Sequence, residues 1–105
     1  MALIDTFILV PVEYNDGRKV EESKFDQLEL MIMEQVGGFT QETGLRGGWR
    51  DPRTGKVYRD EHVKYVIGID SWAKVSDIIG IAKWVKKEWA QESVYISIAG
   101  IPDFV

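Results

Sequence analysis

Residues Gly37 to Asp70, GGFTQETGLRGGWRDPRTGKVYRDEHVKYVIGID, constrain this chain more than any other stretch. Its middle, Asp51-Pro52-Arg53-Thr54-Gly55-Lys56, is turn chemistry: proline presets one backbone angle, and glycine supplies an angle that other residues avoid. The flanking segments alternate in polarity and carry β-branched and aromatic side chains, so two strands that fold back on each other are predicted here. The same stretch holds most of the arginines, the single histidine and one of the four tryptophans. A functional site is expected here first.

The rest of the chain supplies the partners for that hairpin. Leu3 to Val12 alternates with apolar residues on both faces, which predicts a central strand. One face would meet helices; the other would meet something else, most simply a second subunit. Glu13 to Glu22 reads as a loop around Asn15-Asp16-Gly17. Ser23 is the expected N-cap of a first helix whose stripe is Phe25, Leu28, Ile32 and Val36, widened by Leu30, Met31 and Met33, and Gly37-Gly38 stops it. Phe39 to Arg50 is the second strand, with glycines that suggest bulges, and Val57 to Asp70 the third. In the third, Val57, Arg59, Glu61, Val63, Tyr65, Ile67 and Ile69 share one face; Tyr58, Asp60, His62, Lys64 and Val66 share the other. Ser71 to Gln91 is the second helix after a short lead-in, with Val75, Ile78, Ala82, Val85 and Trp89 as its apolar stripe. Val94 to Ala99 is the last strand, followed by a tail from Gly100 to Val105 whose Ile101, Phe104 and Val105 are expected to dock on a neighbour.

This order, β-α-β-β-α-β, predicts one α+β domain over residues 1–105. The expected architecture is a ferredoxin-like split βαβ with a four-stranded antiparallel sheet and two helices on one face. At 105 residues such a domain can bury a single core without metal or disulfide staples. The chain has no cysteine, which excludes thiolate metal sites and cysteine nucleophiles. No apolar run reaches the length of a membrane helix, and the N-terminal residues lack the basic region and cleavage site of a signal peptide, so a cytoplasmic location is expected. Net charge is −4, yet residues 46 to 64 carry six Lys/Arg against three acids, leaving −7 elsewhere. That asymmetry marks an anion-binding patch or a solvated hairpin on an acidic body. The overall acidity argues against nucleic-acid binding.

The pattern Gly17-x2-Val20, Gly38-Phe39-Thr40, Gly48-Trp49-Arg50, Gly55, Arg59 with Glu61, and Gln91-Glu92-Ser93-Val94 resembles an uncharacterised bacterial domain family of unknown function. The resemblance spans about Asp16 to Val94. It implies one domain with a shared site region and carries no reaction with it; members of that family are associated with secreted or lipid-anchored small proteins. This chain departs from the pattern in its N-terminal residues and in having Asp60 between Arg59 and Glu61.

Candidate chemistry centres on Arg46, Trp49, Arg50, Arg59 and Glu61. An indole stacks on planar ligands, arginines grip phosphate or carboxylate through paired donors, and Gly47-Gly48 lets backbone N–H groups approach an anion. Glu61 would orient Arg59 through a salt bridge or hold a ligand donor. The leading expectation is a small anionic or nucleotide-like ligand bound by a self-associating domain, a homodimer or higher assembly through the sheet face, with no cofactor or metal implied. Glu61 and His62 are the catalytic candidates. With them the rival is a cofactor-free isomerase or monooxygenase of the dimeric α/β-barrel type, a fold-level analogy. A purely structural assembly module is the third reading. Asp60-Glu61-His62 is a poor metal site because adjacent strand residues face opposite sides.

Overall fold

The computed structural model describes residues 2–105. Its elements are β1 (Ile4–Pro11), α1 (Glu22–Val36), β2 (Thr40–Arg50), β3 (Val57–Ile69), a 3₁₀ turn (Trp72–Lys74), α2 (Val75–Glu88), β4 (Tyr95–Ile98) and β5 (Ile101–Phe104). The strands form one antiparallel sheet in the order β2-β3-β1-β4-β5.

Alternation decides which side of that sheet is the core. Thr6, Ile8 and Val10 of β1, Val63, Tyr65, Ile67 and Ile69 of β3 and Ile96 of β4 are buried on one face. They pack in one cluster with Leu28, Ile32 and Val36 of α1 and Ile78, Ile81, Ala82 and Val85 of α2. Two polar groups enter this layer with partners. Thr6 Oγ1 donates to the Ile67 carbonyl at 2.6 Å. The Tyr65 hydroxyl donates to Glu29 Oε2 at 2.8 Å and accepts from Gln41 Nε2 at 3.2 Å, which ties α1, β3 and β2 together.

Three expectations are corrected. The sheet has five strands, not four: Ala99 and Gly100 take positive φ of 51° and 81°, the pairing of signs that a tight two-residue hairpin needs. The tail therefore folds back on β4 of its own chain, with Tyr95 opposite Phe104. In α1 the helix begins at Glu22, with Glu21 rather than Ser23 at the N-cap; the Glu21 carboxylate accepts from the Tyr14 hydroxyl instead of capping. Leu30 and Met33, expected in the core, are 54% and 49% exposed. Trp72 also stands exposed, whereas Trp84 packs edge-on against buried Trp89 at 5.7 Å.

The feature that positions the site is the length of β2 and β3. Pairing of β1 with β3 stops at Pro11 opposite His62. Beyond that point the Val12 N–H still donates to the Glu61 carbonyl at 3.1 Å, and further out β3 pairs only with β2, so Leu45–Glu61 is a two-stranded arm anchored at its base. A bulge at Thr43-Gly44, where Gly44 has φ 74°, marks where the arm begins. At its tip the Asp51 carboxylate accepts from the Arg53 backbone N–H at 2.8 Å, and Gly55 N–H closes on the Asp51 carbonyl at 2.8 Å.

Candidate functional site

The sheet face away from the helices is concave, because the arm rises at one end and two loops rise at the other. The arm supplies Gly47, Trp49, Tyr58, Asp60 and His62. Across from it stand Glu13 to Asn15 and Gln91 to Val94. These enclose a concavity of about 940 Å³ with Leu9, Pro11, Tyr95 and Phe104 on its floor and rim. The far wall is held by hydrogen bonds over long sequence distances. Gln91 Nε2 donates to Asn15 Oδ1 at 3.2 Å and to the Trp89 carbonyl at 3.0 Å, and Trp89 Nε1 donates to the Pro11 carbonyl at 2.9 Å.

Register sorts the candidate residues. Trp49 pairs with Tyr58, so the two rings lie on the open face, stacked at 4.8 Å with 13° between planes. Lys56 Nζ lies 4.9 Å from the Tyr58 ring centre. Asp60 and His62 follow at period two on the same face. Arg46 pairs with Glu61, Gly48 with Arg59 and Arg50 with Val57, which turns these side chains to the opposite face of the arm. The structure thus separates Trp49 from Arg46, Arg50 and Arg59, whereas Glu61, though on the arginines' face by register, still contributes to the lining of the concavity with Trp49. The expected Arg59–Glu61 salt bridge is not formed: among the described residues the ion pairs are Arg18–Asp16, Lys64–Glu42 and Lys74–Asp70. Tyr58, Glu13 and Tyr95 join the site without having been singled out. Tyr58 had a signal, since it mirrors Trp49 about the Asp51–Lys56 turn.

The electrostatics of the concavity differ from those of the arm's other face. Glu13, Asp51, Asp60, Glu61 and Glu92 contribute to its lining against one arginine, Arg53. His62 is half-buried, and loss of hydration holds its pKa below the ordinary 6.5, with Asp60 opposing the shift. A histidine with a depressed folded-state pKa takes up protons less readily than the unfolded chain does. Stability is therefore present above about pH 6.5 and falls as pH drops through that region. Unfolding titrations between about pH 7.5 and pH 5.5 should show that loss, and His62→Gln should flatten it. A wild-type profile that is flat there would contradict the burial of this ring.

Among the described residues no group of three His, Asp or Glu side chains is placed to hold a metal ion, and no helix is long and apolar enough to cross a membrane. The apolar outer side of β1 is partly covered within the chain: Phe7 stacks with Tyr95 at 6.0 Å and lies under Lys64 Nζ at 4.4 Å.

No protein-family model matches the chain, and no curated protein matches it significantly. Two solved structures do match it. One is a phage SAM lyase in complex with S-methyl-5'-thioadenosine, with a TM-score of 0.70 and 18% identity over 99% of this chain and 88% of that one. The other is a phage SAM lyase in the apo state, with a TM-score of 0.67 and 20% identity over 97% and 86% of the two chains. At these identities the likeness is one of fold.

Proposed function

We propose that the concavity binds an adenosine carrying sulfur at its 5′ carbon, and that the chain acts on S-adenosylmethionine (SAM) there as a lyase. The observation that carries this reading is the make-up of the concavity: a stacked aromatic pair beside five acidic residues and one arginine. An adenine ring offers a π face to Trp49, Tyr58 or Tyr95. A sulfonium is a cation that aromatic faces and carboxylates both attract. The fold likeness to a SAM lyase supports the same class. On this reading the nucleoside part of the expected ligand is kept. The anionic part gives way, because the arginines on which it rested lie on the arm's other face.

The chemistry balances without a cofactor. The bond from the sulfonium sulfur to the aminobutyrate side chain breaks, and its electron pair goes to sulfur, giving the neutral thioether S-methyl-5'-thioadenosine. The carbon left behind completes its valence within the same fragment, by losing a neighbouring proton or by capture of the fragment's own carboxylate. Asp60 and His62, adjacent on the open face, are the groups placed to take or steer a proton. We also read β1 to β4 with their two helices as a ferredoxin-like unit to which β5 adds an edge strand, and the assembly as self-associating.

Isothermal titration of the purified protein with SAM and with S-methyl-5'-thioadenosine tests the reading, followed by mass spectrometry of the SAM incubation. Binding of both with accumulation of the thioether supports a lyase. Binding without turnover reduces the reading to a nucleoside-binding domain that senses or sequesters. No binding of either compound overturns it.

A further inference from the structure

The arm poses a physical problem that the nucleoside reading does not touch. From Arg46 to Asp60 two strands pair only with each other, and an isolated two-stranded hairpin is marginally stable at best in water. By register its face opposite the concavity carries Arg46, Arg50 and Arg59 around Gly48 and Val57, with one acid, Glu61, across from Arg46 at the base. Among the described residues no carboxylate, Glu61 included, lies within ion-pair distance of those three arginines. Val57 is 51% exposed, so apolar surface lies among these charges.

The chain also carries a surface of opposite character. Along the outside of α1, Glu22, Asp26, Leu30, Met33 and Glu34 recur at helical spacing and are all exposed. Acids stand at both ends of this stripe, with two large apolar side chains between them. The one lysine of α1 is engaged elsewhere: Lys24 Nζ donates to the Glu88 carbonyl at 2.6 Å. The dimensions agree. Glu22 to Glu34 spans about 18 Å at the rise of a helix. Arg46 to Arg50 spans about 13 Å at the rise of a strand, which lets the arginine row lie within the stripe.

We infer that the arginine face of the arm docks on the acidic and apolar outer face of α1 in a second copy of this chain. The segregation of charge favours a copy over another class of polyanion. The arm, Leu45 to Glu61, holds five Lys/Arg against three acids, a local +2, and the remainder −6, so one chain supplies both halves of the contact, while its net charge of −4 repels nucleic acid. The contact joins two different patches, so it propagates head to tail unless rotation closes it into a pair or ring. Docking removes Leu30, Met33 and Val57 from water and supports a ribbon beside which, among the described residues, no third strand lies. Because the concavity is on the other face of the arm, the contact does not use the residues proposed to hold ligand.

Light scattering coupled to size exclusion tests this, at about 0.05 M and about 0.5 M salt, since screening weakens contacts between exposed charges. Wild type should run as a discrete oligomer at low salt and shift toward monomer at high salt. Arg46→Glu with Arg59→Glu should raise the dissociation constant more than about tenfold. Asp26→Lys with Glu34→Lys should do the same. All four positions are exposed, and circular dichroism confirms that each variant is folded. Mixing the two variants should restore the oligomer, because every arm then meets a complementary helix. A monomeric wild type at low salt overturns the inference. So does an oligomer that survives either charge reversal, or a mixture of the two variants that stays monomeric.

Discussion

Trp89→Ala should lower the free energy of unfolding by about 3–5 kcal/mol, the range for emptying a large buried aromatic site. Trp89 is 0% exposed at the end of α2, where it meets the Phe25 ring edge-on at 5.4 Å and Trp84 at 5.7 Å. Its indole N–H also donates to the Pro11 carbonyl, a group at the end of β1. Truncation thus opens a cavity between the helices and leaves a carbonyl without its donor. Trp89→Phe keeps most of the apolar contact and loses the hydrogen bond, so its cost should be smaller, about 1–3 kcal/mol. Urea unfolding of the three proteins checks this. Because domains of this size hold about 5–15 kcal/mol in total, the alanine variant should be close to unfolding at body temperature. A loss below about 1 kcal/mol for Trp89→Ala would mean that this tryptophan does not organise the core.

The same residue shows what was legible in the sequence. The stripe Val75, Ile78, Ala82, Val85 and Trp89 has helical period, and all but half-buried Val75 face the core. The alternation in the second half of β3 likewise shows the buried face residue by residue, whereas in β1 both faces are apolar and period two alone does not choose between them. The outward turn of Leu30 and Met33 is not legible in this way. Apolar residues on a helix do not say which edge of a wide stripe is covered. Nor is β5: a Gly after an Ala reads as a chain end until both take positive φ and close a hairpin. In the site, alternation alone already separates Trp49 from Arg46 and Arg50, and mirroring about the Asp51–Lys56 turn pairs it with Tyr58. The far wall is different in kind. Asn15 meets Gln91 only because β1 and the end of α2 are neighbours in space, and no local pattern carries that contact.

Trp49→Ala and Tyr58→Ala should each weaken binding of S-methyl-5'-thioadenosine by about 5- to 150-fold, the cost of losing about 1–3 kcal/mol of stacking on a base. The two rings form one stack, so their losses should not add: removing either leaves the other without its neighbour, and the double variant should cost less than the sum. Asp60→Asn separates stacking from charge. It keeps the shape of the wall and removes one of the five acidic groups around the concavity. A neutral thioether should bind this variant nearly as it binds wild type, whereas SAM, with its sulfonium, should lose several-fold in affinity. That difference should shrink at high salt. Equal losses for the charged and the neutral ligand would mean that Asp60 acts through the shape of the site. Unchanged binding in both aromatic variants would move the nucleoside away from the arm altogether, leaving Tyr95 and Phe104 as the rings to test.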